Sequence, residues 1–69
     1  MDNNIKKIRG EKGITQEKLS QLTGISRVHL TNIENGVALP SVSYALEISK
    51  RLGKSVEEVF PISSNEEVE

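Results

Sequence analysis

The side chains best suited to recognition chemistry are concentrated in one short segment, RVHLTNIEN, at positions 27–35. If the segment is a helix, Leu30 and Ile33 point to one side, which we expect to be the core. The opposite side offers an arginine that can pair with guanine, an asparagine that can pair with adenine, and small apolar groups that can meet the thymine methyl. The candidate base-reading residues are Arg27, Val28, Thr31 and Asn32. An ordinary solvated face is the alternative, but it would more often carry alternating Lys and Glu, so the pattern favours binding to duplex DNA.

A second group of residues is suited to binding the phosphate backbone: Gln16, His29, Asn35 and Gly36. Gln16 lies at the predicted amino end of a helix, where free backbone N–H groups and the helix dipole favour a phosphate. Asn35 and the backbone near Gly36 lie at the far end of the candidate reading helix, and His29 lies on its flank. The alternatives are an exposed first-turn side chain for Gln16 and, with equal weight, simple exposure for His29.

Two short helices joined by a tight turn would position these side chains. Thr15 and Ser26 belong to the residue types that cap helix N-termini with a side-chain oxygen. Gly24 lies between the two helices, where a residue without Cβ adopts a positive φ at no steric cost. Gly36 is placed to end the second helix. Residues from about 16 to 35 therefore have the pattern of a helix-turn-helix motif.

The chain resembles the lambda-repressor/Cro-like (XRE) family of helix-turn-helix regulators. The matching pieces run from about residue 5 to residue 60, and they are IKKIRGEKGITQEKLSQLTGIS, IENG, LPS and LEISKRLGKSVEEVF. The resemblance implies an all-α fold, a compact five-helix bundle whose third helix enters the major groove, and a backbone contact from Gln16. The sequence departs from the family at residues 37–39, where Val-Ala-Leu replaces the Lys or Arg of many members. Lower affinity for DNA, or packing of this loop on the fourth helix or a partner subunit, would each explain the change.

Arg9 and Glu34 are candidates for a structural ion pair. Arg9 falls beside the apolar stripe of the first helix, and Glu34 falls beside the stripe of the candidate reading helix. Members of the resembled family often carry such a pair at these two places. The alternative is that both side chains extend into water.

Two further helices are predicted after the motif. Ser41 should cap the first of them, and Gly53 should end it. We expect this helix to turn Val42, Ala45, Leu46 and Leu52 inward, with Tyr44 and Ile48 toward its sides. The pattern Ser55-Val-Glu-Glu58 predicts a capping box at the start of a short last helix.

Charge divides the chain into a basic body and an acidic tail. Residues 1–56 hold nine Lys and Arg against five acids, a net charge of +4, whereas residues 57–69 hold five Glu and no base. A basic body fits nucleic-acid binding. We expect a short disordered lead over residues 1–4, with Asn3 or Asn4 capping the first helix. A helix-turn-helix domain over residues 5–60 and a flexible acidic tail over residues 61–69 should follow.

The remaining composition argues against several classes of protein. The chain has 69 residues, enough for one domain, and no Cys, which excludes disulfides and thiolate metal sites. A lone histidine cannot build a metal site or a catalytic triad. We therefore expect no metal, no cofactor and no enzymatic activity. The sequence shows no membrane-length apolar run and no export signal, so a cytoplasmic location without membrane association is expected.

The leading functional hypothesis is a sequence-specific duplex DNA-binding regulator of transcription, a repressor acting as a homodimer on a two-fold symmetric operator. The alternative is a protein-interaction module, such as an antitoxin or phage-control partner, with DNA binding secondary. The apolar loop at residues 37–39 and the apolar pair Val59 and Phe60 favour that alternative.

Overall fold

Five α-helices form most of residues 2–61, the part of the chain that this computed structural model describes. The helices are α1 (Ile5–Lys12), α2 (Gln16–Thr23), α3 (Arg27–Glu34), α4 (Val42–Leu52) and α5 (Val56–Val59). No strand occurs within the described range, so the predicted all-α five-helix bundle is confirmed. The predicted flexible tail lies outside the described residues apart from Pro61. None of the helices between residues 2 and 61 is long and apolar enough to cross a membrane.

Side-chain hydroxyl groups begin four of the helices, as the sequence predicts. Thr15, Ser26 and Ser41 each accept a hydrogen bond from the backbone amide three residues further on, at 3.0–3.2 Å. Ser55 and Glu58 form the full capping box, in which each side chain accepts from the other residue's backbone amide. These bonds satisfy amide groups that a helix leaves without internal partners.

The core is built from all five helices and the turn between α2 and α3. Leu30 and Ile33, the predicted inner face of α3, are fully buried. The other buried apolar residues are Ile5, Ile8, Leu19, Ile25, Ile48, Leu52, Val59 and Phe60. Because α3 contributes its inner face to this core, its opposite face is held at the surface.

The predicted inner face of α4 is partly wrong. Val42 and Leu46 are 78% and 56% exposed, whereas Ile48, placed at the side by the prediction, is fully buried. Apolar residues cover so wide an arc of α4 that periodicity alone does not fix which part faces the core. Contacts with α2 and α5 decide it, and they leave the Val42 and Leu46 side of the helix in solvent.

Asn3 and Asn4, which belong to the predicted lead, form hydrogen bonds at the start of α1. The Asn3 side-chain amide donates to the carbonyl oxygen of Ile33 at 2.8 Å. The backbone amide of Asn4 donates to the carbonyl oxygen of Val59 at 2.8 Å. Asn4 occupies the N-cap position of α1 without a side-chain capping bond, and Asn3 Oδ1 instead accepts from the amide of Ile5 at 3.1 Å. These bonds tie the start of α1 to α3 and α5.

Candidate nucleic-acid interface

The outer face of α3 carries the four predicted base-reading residues, which we call the reading arc: Arg27, Val28, Thr31 and Asn32. Arg27 and Val28 are exposed, Val28 by 74%, and Thr31 and Asn32 are half-buried. The Thr31 hydroxyl donates to the carbonyl oxygen of Arg27 at 2.7 Å, so its lone pairs remain available as acceptors. The arc is therefore accessible to a ligand while the helix beneath it is anchored in the core.

Asn32 has a second role at the end of α3. Its backbone carbonyl oxygen accepts from the amides of Val37 and Ala38, at 2.9 and 3.1 Å. These bonds fold the chain back after the helix and hold the backbone of Asn32 in place. The side-chain amide of Asn32 forms no hydrogen bond with any other residue between 2 and 61, and it can offer adenine both a donor and an acceptor.

Arg9 and Glu34 form a partly buried ion pair between α1 and α3. Arg9 Nε donates to Glu34 Oε2 at 2.9 Å, and Arg9 Nη2 donates to Glu34 Oε1 at 3.1 Å. Arg9 Nη1 also donates to the carbonyl oxygen of Ile14 at 3.1 Å. The two side chains are 13% and 4% exposed. Such a two-pronged pair is geometrically specific as well as strong.

Gln16 connects this ion pair to the reading arc. Gln16 Nε2 donates to Glu34 Oε1 at 3.3 Å, and Arg27 Nη2 donates to Gln16 Oε1 at 3.4 Å. Arg9, Glu34, Gln16 and Arg27 thus form one hydrogen-bonded chain across α1, α2 and α3, which we call the polar network. The sequence assigns Gln16 and Arg27 to DNA but does not indicate their link, although each is the first residue of its helix, α2 and α3 respectively.

His29 packs against α4. Its ring meets that of Tyr44 edge to face, with 5.4 Å between the ring centroids and 60° between the planes. The sequence leaves two alternatives for His29, a DNA contact and simple exposure. The structure adds a contact that neither alternative included, the one with Tyr44. The two residues are 15 positions apart on different helices, and no local pattern in the sequence indicated the contact.

The end of α3 carries the remaining predicted phosphate ligands. Asn35 is exposed. Gly36 has a φ of 78°, and its amide donates to the carbonyl oxygen of Ile33 at 3.1 Å. The Gly36 amide therefore helps to end the helix, and a phosphate contact from it stays a prediction. The part of the chain that the structure describes holds no cluster of three or more His, Asp or Glu placed to bind a metal ion.

The geometry agrees with what comparison with known proteins finds. The helix-turn-helix family profile matches residues 5–59. The chain is 38% identical over 60 residues to the HTH-type transcriptional regulator YgzD of Bacillus subtilis, covering 87% of this chain and 91% of that relative.

Two solved structures are also similar. The restriction-modification controller protein C.AhdI from Aeromonas hydrophila superposes with a TM-score of 0.77 at 28% identity, over 83% of this chain and 86% of that one. A chain of the SinR protein/SinI protein complex superposes with a TM-score of 0.78 at 27% identity, over 93% of this chain and 68% of that one. Together with the match over residues 5–59, these likenesses show that the chain belongs to the XRE-type helix-turn-helix family of DNA-binding transcriptional regulators.

Proposed function

We propose that this protein is a cytoplasmic repressor that binds a two-fold symmetric operator as a homodimer. The observation that carries the proposal is the reading arc: an exposed set of base-compatible side chains on a helix whose inner face is locked into the core. An α-helix with its side chains is about 10–12 Å in diameter, which fits a major groove about 12 Å wide.

The proposed contacts divide into those that read sequence and those that set position. Arg27, at the start of α3, pairs with guanine, because residues near the amino end of a recognition helix contact base edges. Asn32 pairs with adenine, while Val28 and Thr31 contact thymine methyl groups. Backbone phosphates are bound by Gln16, His29, Asn35 and Gly36.

Homodimerisation is supported by an apolar surface on α4 and the loop before it. This apolar surface consists of Val37, Leu39, Val42 and Leu46, all more than half exposed. It borders a groove of about 240 Å³ between α4 and α5, lined by Leu39, Pro40, Ser41, Val42, Ala45, Val56 and Phe60. Large contiguous apolar patches are rare on monomers and mark association sites. A two-fold axis through this surface brings the same patch of both copies together.

Repression follows from occupancy, because a dimer bound across an operator excludes other proteins from the same DNA. The similarity to a controller protein of a restriction-modification system supports a regulatory role.

Selection of bound sequences from a random duplex library tests the proposal. We expect enrichment of a palindrome whose half-sites are about 10 bp apart, centre to centre. Failure to enrich any sequence would contradict DNA recognition, and enrichment of a single asymmetric site would contradict the homodimer.

The apolar surface also supports a second candidate function, in which a different protein occupies it. One of the similar structures is a complex between two proteins. Sedimentation equilibrium of the purified chain separates the candidates. A monomer at micromolar concentration would favour a different partner, and a dimer would favour the repressor.

A further inference from the structure

We propose that Glu34 is a specificity-positioning residue. Through the side chain of Gln16, it orients the guanidinium group of Arg27 toward the base that Arg27 reads. The inference rests on the proposed function, since it concerns the same DNA-reading surface, and it adds a second role to an ion pair that otherwise only joins α1 to α3.

The Gln16 amide has two unlike ends, and Glu34 selects between them. A carboxylate only accepts hydrogen bonds, so it holds the Nε2 end of Gln16, at 3.3 Å from Oε1. The oxygen end then faces Arg27, whose Nη2 donates to it at 3.4 Å. With the amide reversed, its oxygen would face a carboxylate and its NH₂ group would face a guanidinium, so both bonds would be lost.

The carboxylate that makes this selection is itself immobile. Glu34 is 4% exposed, and Arg9 holds both of its oxygens, at 2.9 and 3.1 Å. Its Oε1 is shared between Arg9 and Gln16, which fixes the place where the amide of Gln16 can bind. Rigid support of this kind is what holds a recognition side chain in its productive geometry.

The orientation of Gln16 affects the side chain of Arg27, which is exposed. An untethered arginine loses rotamer freedom when it binds a base edge. The bond to Gln16 restricts those rotamers beforehand and occupies one of five N–H donors, leaving others for the O6 and N7 atoms of guanine. Gln16 also keeps a second Nε2 hydrogen for a phosphate. Phosphate binding by Gln16 and base reading by Arg27 are therefore linked through Glu34.

The experiment compares library-selected base preferences of the wild type with those of Glu34→Gln, Arg9→Met, Gln16→Met and Arg27→Ala. Each variant is measured at a temperature where circular dichroism shows it folded. Glu34→Gln and Arg9→Met both break the ion pair, but only Glu34→Gln removes the carboxylate that orients Gln16. Gln16→Met keeps the ion pair and removes the amide, so the inference stays testable if Glu34→Gln does not fold.

We expect Arg27→Ala to identify the position that Arg27 reads. At that position the preference should fall roughly three- to tenfold in Glu34→Gln and Gln16→Met, as for coupled residues in one network. Arg9→Met should lose thermal stability and lose less of the preference than Glu34→Gln, because the carboxylate that accepts from Gln16 remains but is held less rigidly.

Two results would overturn the inference while leaving the proposed function intact. One is uniform weakening on all sequences in both Glu34→Gln and Gln16→Met. The other is equal loss of preference in Arg9→Met and Glu34→Gln, which would indicate a general structural effect. A wild type that enriches no sequence would overturn both the inference and the proposed function.

Discussion

The α3 side and the α4 side of the bundle differ in what their side chains contact. On the α3 side, the nearly buried Glu34 has two partners, Arg9 and Gln16, and the second of these reaches Arg27. On the α4 side, Val42 and Leu46 lie largely in solvent beside an apolar groove. One side is ordered by polar bonds within the chain, and the other leaves apolar area in contact with water.

This difference concerns which side forms its contacts within the chain and which side leaves apolar area that a second protein surface could cover. Within residues 2–61, every buried side-chain nitrogen and oxygen has a hydrogen-bond partner. The polar network forms within the chain without a ligand, and it includes one residue of the reading arc, Arg27. The apolar surface gains its favourable free energy only when another apolar surface covers it. We expect changes in the polar network to alter stability and base preference, and changes in the apolar surface to alter association.

The largest expected effect is that of Glu34→Ala on folding. Removal of one partner from a buried pair costs about 3–5 kcal/mol, because the remaining charge is left buried and unpaired. A core of this size rarely supplies more than about 3–5 kcal/mol of net stability. The variant should therefore be largely unfolded at about 37 °C. Urea unfolding followed by circular dichroism measures the loss.

Glu47→Ala is the matched control for that experiment. Arg51 Nε and Glu47 Oε2 are also close, at 2.8 Å, but these side chains are 41% and 33% exposed. Exposed pairs of this kind contribute about 0–1 kcal/mol. Equal losses for Glu34→Ala and Glu47→Ala would show that the polar network does not stabilise the bundle in the way that its burial indicates.

The features that the sequence predicts best are those set by local chemistry. Thr15, Ser26 and Ser41 cap helices because a hydroxyl reaches an amide three residues away in any fold. Arg9 and Glu34 also meet as expected, since each lies beside an apolar stripe that packing brings together. Their positions follow from helical periodicity and the presence of one common core.

The features that the sequence does not predict depend on how the helices pack. The phase of α4 is such a case, because Leu46 and Ile48 are both apolar and only contacts with other helices show which is buried. The bond from Gln16 to Glu34 and the contact of His29 with Tyr44 join different helices. The roles of Gln16 and His29 toward DNA remain predictions.

A second effect should appear on the reading arc, in Arg27→Ala. Loss of a two-pronged base contact should cost about 1–3 kcal/mol of binding free energy and relax preference at one base pair. Fluorescence anisotropy with the selected operator and with single-base variants measures both quantities. Val28→Ser is the matched control on the neighbouring exposed residue, and it should relax preference at a different base pair. Relaxation of the same base pair by both variants would contradict separate roles within the arc.

The third prediction concerns the apolar surface. Leu46→Glu places a charge on each side of the proposed two-fold interface, so the dimer dissociation constant should rise at least about tenfold, or roughly 1.4 kcal/mol. The free energy of unfolding of the monomer should hardly change, since Leu46 is exposed. Sedimentation velocity measures the association. Lys50→Glu lies one turn further along the same helix and should leave the dimer less affected. An unchanged dimer in Leu46→Glu would place the interface elsewhere.

A smaller effect should come from the turn that sets α3 against α2. Gly24 has a φ of 77°, and apart from Gly24 itself and its two chain neighbours no residue has an atom within 4 Å of the place where a Cβ would stand. Gly24→Ala should therefore destabilise the protein by about 1–2 kcal/mol through backbone conformation alone. Gly10→Ala is the opposite control, because Gly10 lies inside α1 with equally open space around it. Gly10→Ala should raise the melting temperature, because the free energy of unfolding should increase by about 0.5–1 kcal/mol. A loss in both variants would show that a crowded side chain, rather than backbone conformation, is responsible.

The smallest expected effect is a dependence of folding stability on pH through the capping box of α5. Hydrogen bonds from the backbone amide and the side chain of Ser55 lower the pKa of Glu58 below its usual value of 4.5, with help from the charge of Lys54. Because the folded pKa is lowered, this carboxylate stabilises the fold above pH 4.5, and the contribution is lost as the pH falls through the folded pKa.

Thermal unfolding of the wild type and Glu58→Gln over this acidic range should therefore give two curves of melting temperature against pH that converge as the pH falls. Glu57→Gln, a neighbouring exposed position outside the capping box, is the matched control. A constant difference between the wild type and Glu58→Gln would mean that the charge of Glu58 does not stabilise α5.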